Sequence, residues 1–199
     1  MDQEKKFPTE IIDLPSKGLL YPKESPLSSG KVEMKYMTAK EEDILTNTNY
    51  IQRGIVIDKL IQALIVDKSI KYGDLLAGDK NVLLVGARIL GYGEMYEFTY
   101  GGTKHTVDLS KLDNKPIEEE LFKDGKNEFT FVTPSSNNSL TFKLLTHADE
   151  QTIDAELKGL QKINKDNTPE MSTRLKYIIQ SVDGKVDQKT IRDFVDNEF

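Results

Sequence analysis

The stretch Asp79–Gly93, DKNVLLVGARILGYG, decides the fold that we predict for this chain. Its apolar residues leave almost no polar face on a helix, so a helix formed here must be covered on most sides. Asp79 can cap the start of this helix, and Gly91 and Gly93 can end it, because glycine adopts positive φ without strain. We therefore expect a central helix with other elements packed around it. The apolar residues concerned are Val82, Leu83, Leu84, Val85, Ala87, Ile89 and Leu90.

Arg88 is the one charge within the apolar part of this helix. Its stem can pack while the guanidinium reaches a carboxylate or the surface, as long basic side chains commonly do. Alternatively, Arg88 anchors a partner protein. The sequence leaves both interpretations open.

Residues 1–30 are predicted to form an extended arm, because their prolines are spaced too closely for a helix. Large apolar residues lie between those prolines, and a solvated tail has little use for them. The arm therefore either straps across its own domain or docks into a neighbouring subunit. For docking, the candidate partner-binding residues are Leu19, Leu20 and Tyr21, with Met34 and Tyr36 behind them.

Residues 31–93 are predicted to contain a strand followed by a helical core. The alternation KVEMKYM at Lys31–Met37 places Val32, Met34 and Tyr36 on one face, which is typical of a half-buried strand. The strand leads into the first helix.

Two helices are predicted between this strand and the central helix. Thr38 and Glu41 have the spacing of a capping box, which indicates a short helix. A longer helix is predicted from about Tyr50 to Val66, because its apolar residues recur at helical spacing. Those residues are Ile57, Leu60, Ile61, Leu64 and Ile65.

Residues 94–146 are predicted to form a small antiparallel β module, because their pattern alternates. Gly101-Gly102 indicates a hairpin between the first two strands. Residues 147–199 return to helical spacing, with Pro169 and Asp187 at helix starts. The helix that starts at Pro169 is predicted to continue to Val182, because Met171, Leu175, Ile178 and Val182 recur at helical spacing. The predicted strands are Met95–Tyr100, Thr103–Leu109, Glu128–Val132 and Leu140–Thr146.

These segments together predict an α+β fold with a helical core of about five to six helices. The antiparallel β module is inserted into that core, and the N-terminal arm is extended. Residues 31–199 are expected to form one compact unit. The last helix reaches Phe199 without a closing Gly or Pro, so we expect a C-terminus that is incomplete or completed by a partner.

The composition excludes several classes of function. The net charge is −6, and no basic stripe with interleaved aromatic residues is present, so nucleic-acid binding is not expected. No apolar run approaches the roughly 20 residues of a membrane span. The absence of cysteine from the sequence excludes disulfides, thiolate metal sites and cysteine nucleophiles.

The motifs of common enzymes are also missing from the sequence. His105 and His147 are far apart and neither has metal-ligand spacing. The G-x-G at Gly91–Gly93 follows a helix and precedes a strand, which is the reverse of a dinucleotide-binding turn. No P-loop and no G-x-S-x-G motif occurs. We predict no catalytic, cofactor-binding or metal-binding residues; a hydrolase acting through either histidine is the remaining enzymatic alternative.

Five phrases of the sequence resemble a family of baseplate hub proteins from contractile-tailed bacteriophages of the T-even type. The resemblance is closest over about the first 100 residues, and the fifth phrase is similar to the family's C-terminal helical segment. The phrases are LPSKGLLYP at Leu14–Pro22, KVEMKYMTAKEEDILTN at Lys31–Asn47, IQRGIVIDKLIQALI at Ile51–Ile65, LVGARILGYGEMYEF at Leu84–Phe98 and VDGKVDQKTIRDFVDN at Val182–Asn197.

This chain departs from the family at its first hairpin. Relatives often carry C-x-x-C there, whereas this chain has Tyr100-Gly101-Gly102-Thr103. If some relatives hold the hairpin with zinc, this one must hold it by turn chemistry and packing alone. Metal is therefore expected to make no difference to its stability.

The resemblance implies a non-enzymatic protein that builds the central hub of a phage tail baseplate through protein–protein contacts. The alternative is a permanent structural subunit of the mature baseplate. The implied partners are other tail and hub proteins, with self-association a further option. The implied location is the host cytoplasm during phage assembly, or the virion baseplate for the structural alternative.

Overall fold

A computed structural model describes residues 8–122, 125–163 and 168–198, and it confirms an α+β fold. Those residues form seven α-helices and three small antiparallel sheets. In chain order the elements are β1 Thr9–Asp13, β2 Lys31–Lys35, α1 Ala39–Leu45, α2 Thr48–Gln52, α3 Val56–Leu64, α4 Ala77–Tyr92, β3 Met95–Tyr100, β4 Thr103–Asp108, β5 Phe129–Val132, β6 Ser139–Phe142, α5 His147–Ile163, α6 Glu170–Ile178, β7 Ile179–Val182 and α7 Gln188–Asn197.

The chain divides into two compact units, whereas one was predicted for residues 31–199. Unit 1 comprises Met1–Tyr72 and Gly78–Gly125, and unit 2 comprises Gly73–Ala77 and Lys126–Phe199. The predicted β module over residues 94–146 is divided accordingly. Its first hairpin is a sheet of its own in unit 1, and its second hairpin joins β7 in unit 2.

In unit 1, the predicted arm contributes a strand that the sequence analysis missed. β1 pairs antiparallel with β2, with Ile12 opposite Val32 and Glu10 opposite Met34. Helix α4 packs on this strand pair. Gly86 of α4 lies so close to β1 that a Cβ built on it would be 3.1 Å from Cδ1 of Ile12. The arm is therefore part of the core of its own unit.

The predicted helix from Tyr50 to Val66 is two helices, α2 and α3. The chain is interrupted at Gly54, which has φ +68° and cannot continue a helix in that conformation. The apolar stripe survives in α3, where Leu60, Ile61 and Leu64 are buried. This break divides one predicted helix into two, so the described residues form seven α-helices where about five to six were predicted.

Glu41 closes the predicted capping box at the start of α1. Its carboxylate accepts hydrogen bonds from the backbone amide and hydroxyl of Thr38, at 2.9 and 2.6 Å, and from Lys35 Nζ at 2.7 Å. Burial acts to raise the pKa of this carboxyl, but the bonds from Lys35 and Thr38 outweigh it and hold the pKa below its usual range. The charged form of Glu41 is therefore stabilised in the folded chain.

Glu41→Gln is expected to make stability less sensitive to acid. The folded-state pKa of Glu41 is lowered, so its contribution is complete above the unfolded value of about 4.3 and is lost as the pH falls through the folded value. The free energy of unfolding of the variant should lie below that of the wild type at neutral pH and converge on it in acid. Urea denaturation over a pH series measures this, with Asp43→Asn on the exposed side of α1 as control. A difference that stays constant with pH would contradict it.

Unit 2 is built on the sheet β5-β6-β7. β6 pairs with both neighbours, and the register shifts by a bulge between Thr141 and Phe142. The helix predicted to continue to Val182 instead ends at Ile178 and passes directly into β7, whose β-branched residues suit a strand. One hydrophobic cluster of this unit comprises Leu140, Ile179, Val182, Ile191, Phe194 and Val195.

Candidate functional site

Most of the predicted docking residues of the arm are buried in unit 1, which leaves them little surface to offer a partner. Leu20 and Tyr21 are buried, and Met34 has no exposed surface. Leu19 is half-buried, as is Tyr36, whose hydroxyl donates to Glu10 at 3.1 Å. Of the two interpretations left open, the strap across the chain's own domain is the one observed.

Asp79 holds the arm in place, and this role was missed. The predicted cap of the central helix lies inside α4, which begins two residues earlier, and its side chain is buried. Its carboxylate accepts hydrogen bonds from Ser16 N at 3.0 Å, Ser16 Oγ at 2.7 Å and Tyr21 Oη at 2.6 Å. A carboxylate with three donors is well compensated for its burial.

Two glycines allow the arm to pack closely against itself. Gly18 has φ +77°, and a Cβ built on it would lie 2.6 Å from the amide nitrogen of Gly30. Gly30 has φ +69°, and its Cβ would lie 2.7 Å from the carbonyl oxygen of Lys17. The turn therefore has no room for a side chain at either position.

The described residues hold no cluster of three or more His, Asp or Glu side chains that could bind a metal. His105 is exposed on β4, and His147 is buried at the start of α5. A cavity of about 350 Å³ in unit 2 is lined in part by Lys143 and Lys176. Both lysines are in ion pairs, with Asp149 at 2.8 Å and Asp196 at 2.7 Å, and Glu156 and Arg192 line the same cavity.

The β3–β4 hairpin forms as predicted, around Gly101 and Gly102 with φ +57° and +80°. Residues directly opposite each other in a sheet share a face, and successive residues alternate between faces. Tyr96 is opposite Val107, Phe98 opposite His105 and Tyr100 opposite Thr103. These six residues form one side of the hairpin, which we call the aromatic face.

The rings of the aromatic face are ordered in a row although water reaches them. The ring centres of Tyr96 and Phe98 are 5.9 Å apart, and those of Phe98 and His105 are 5.4 Å apart, both pairs being stacked. Tyr100, at the tip, is 77% exposed. Alternating aromatic residues were visible in the sequence, but their exposure was not.

Arg88 joins helix α4 to this row. Its guanidinium carbon lies 5.1 Å from the ring centre of Tyr92 and 5.5 Å from that of Tyr96, within the range of cation–π attraction. It also donates to the carbonyl oxygens of Gly93, at 3.1 Å, and Met95, at 3.4 Å. Its partners are thus carbonyl groups and rings, and both hydrogen bonds lie at the surface that the first interpretation allowed.

The hairpin has no extensive contact with another element among the described residues of unit 1. An isolated two-stranded hairpin is at best marginally stable in water, and a hydrophobic face normally needs a cover. A contiguous apolar patch of this kind commonly marks a site of interaction with another protein. The aromatic face is therefore the candidate functional site of unit 1.

Comparison with known protein families, with curated proteins and with solved structures finds no match. Among the described residues, none of the helices has both the length and the apolar character needed to cross a bilayer. The site is therefore interpreted from its own geometry.

Proposed function

We propose that this chain is a non-enzymatic assembly protein of a phage tail baseplate hub and acts through protein–protein contacts. The aromatic face carries the proposal, because the rings of Tyr96, Phe98 and His105 are stacked and, like Tyr100, remain exposed. Surfaces rich in tyrosine and arginine are typical of protein interfaces. The baseplate hub is suggested by the resemblance of the sequence phrases.

The contact surface differs from the one proposed from sequence alone. Leu20 and Tyr21 are committed to the core of unit 1, whereas Tyr100 and Phe98 are accessible. The aromatic face also includes no carboxylate, because Glu97 and Asp108 lie on the opposite face of the hairpin. A partner can thus cover the rings without burying an acidic group.

Tyr100→Lys is expected to reduce capture of tail proteins at least tenfold. A lysine at the tip replaces an apolar ring by a charge that a partner would have to desolvate. The measurement is co-purification of the tagged chain from infected cells, with quantitative mass spectrometry of hub proteins. Thr106→Lys is the matched control, because it places the same charge on the opposite face, across from Glu97.

Equal capture by the wild type and by Tyr100→Lys would remove the aromatic face from the proposal.

Mass spectrometry of purified virions distinguishes an assembly factor from a permanent structural subunit. An assembly factor should be missing from the finished particle, whereas a structural subunit should be present at a fixed copy number.

A further inference from the structure

Arg88 of helix α4 and the aromatic face together supply both partners of a cation–π contact. The guanidinium of Arg88 lies at one end of the row, over Tyr96, and the most exposed ring, Tyr100, lies at the other end. A surface with complementary groups at its two ends can pack against its own copy when that copy runs in the opposite direction. In that arrangement the guanidinium at one end of the first copy meets the aromatic ring at the other end of the second copy.

We propose that a second copy of this chain covers the aromatic face, the two hairpins packing face to face about a two-fold axis near Phe98. This inference rests on the proposed function, in which the same face is the contact surface. The two-fold axis brings Tyr96 of each copy against the partner's Tyr100. Arg88, already over Tyr96, then lies beside the partner's Tyr100 as well.

Face-to-face packing would remove the exposed rings from water. Pairing two hairpins through their strand edges would extend the sheet but would leave every ring in water. Two sheets stacked at about 10 Å enclose the side chains between them, as in a sandwich core. The charges of Glu97, Lys104 and Asp108 stay outside, because these residues lie on the opposite face.

The exposed area of the aromatic rings determines how strongly the two copies are expected to associate. Tyr96, Phe98 and Tyr100 are between 38% and 77% exposed. At about 200 Å² for a buried aromatic residue, these three rings offer roughly 300 Å² in each copy. A stable interface covers about 800 Å² in each partner, so we expect a reversible dimer in the micromolar to submillimolar range.

Sedimentation velocity over a concentration series through that range tests the proposal with the purified full chain. The wild type should shift from monomer towards dimer as its concentration rises. Tyr100→Lys should weaken association at least tenfold, and Thr106→Lys should leave it unchanged. Circular dichroism and thermal melting of each variant show whether the fold is retained.

Cross-linking tests the direction of packing without a charge in the interface. The natural chain has no cysteine, so single introduced cysteines report on one position each. Chains with Tyr96→Cys mixed with chains with Tyr100→Cys and treated with a short bismaleimide should give more mixed dimer than either variant gives alone. Thr106→Cys, on the opposite face, should give little product.

A wild type that stays monomeric throughout the concentration series would overturn the two-fold dimer. Dimers unaffected by Tyr100→Lys, or cross-linking equal at Thr106→Cys, would overturn it too. A monomer that still captures hub proteins through Tyr100 would leave the proposed function intact and identify the occupant as another polypeptide. A dimer that captures no hub protein would support the two-fold dimer and contradict the proposed function.

Discussion

Replacing Asp79 by alanine is expected to lower the free energy of unfolding by about 3–5 kcal/mol. The substitution removes the acceptor of three hydrogen bonds, one from the buried hydroxyl of Tyr21 and two from the partly buried Ser16. Urea denaturation followed by circular dichroism measures the loss. Hydrogen exchange over residues 14–36 shows whether the arm is released with it.

Asp43→Ala provides the matched control for this substitution. It removes an aspartate from an exposed position of α1, where we expect a change within about 0.5 kcal/mol. Tyr21→Phe removes only one of the three donors, so its effect should be smaller, about 1–2 kcal/mol. Equal stability of Asp79→Ala and the wild type would show that the arm does not depend on this carboxylate.

Replacing Gly18 by alanine is expected to cost about 3–5 kcal/mol. The added Cβ would overlap the carbonyl oxygen of Ser28 and lie 2.6 Å from the amide nitrogen of Gly30, and neither backbone group can move without distorting the turn. The positive φ of +77° adds to the strain. Thermal and urea denaturation measure the cost.

Gly54→Ala separates overlap from backbone strain. Gly54 has a similar φ of +68°, but a Cβ built there meets nothing within 4 Å. Alanine at this position should therefore cost only the strain of a left-handed conformation, about 1–2 kcal/mol. If the two variants lost equal stability, close packing of the arm would not explain the requirement for glycine at position 18.

Elements set by neighbouring residues were predicted well from sequence. The Gly101-Gly102 turn, the capping box at Thr38 and the cap at Asp187 each depend on residues within a few positions, so the local pattern is sufficient. The central helix was also predicted. Its burial was overestimated, because Leu84 is exposed and only one side of α4 is buried.

Features that depend on distant partners were missed. β1 is a strand because it pairs with β2, and Asp79 is buried because Ser16 and Tyr21 supply donors from far along the chain. Helical spacing up to Val182 concealed β7, which exists because β6 is available as a neighbour. Local pattern carries no record of such pairings.

The aromatic face lies between these two cases. The hairpin and its alternation were predicted, and the exposure of its aromatic side was not. Apolar residues of the arm and of the hairpin look alike in sequence, yet Leu20 is buried and Tyr100 is exposed. Only the position of the surrounding elements distinguishes a core residue from an exposed one.

The discontinuous make-up of unit 2 has a consequence for synthesis on the ribosome. Its segment Gly73–Ala77 emerges before the rest of unit 1 is finished, whereas the remainder of unit 2 emerges after residue 125. Leu75 and Leu76 are buried in the finished chain, and Leu76 forms a β-bridge with Thr146. During translation the side chains of these two leucines stay exposed until the downstream part of unit 2 has been synthesised. A nascent chain that stalls in this interval therefore exposes an apolar segment, which chaperones would have to bind to prevent aggregation.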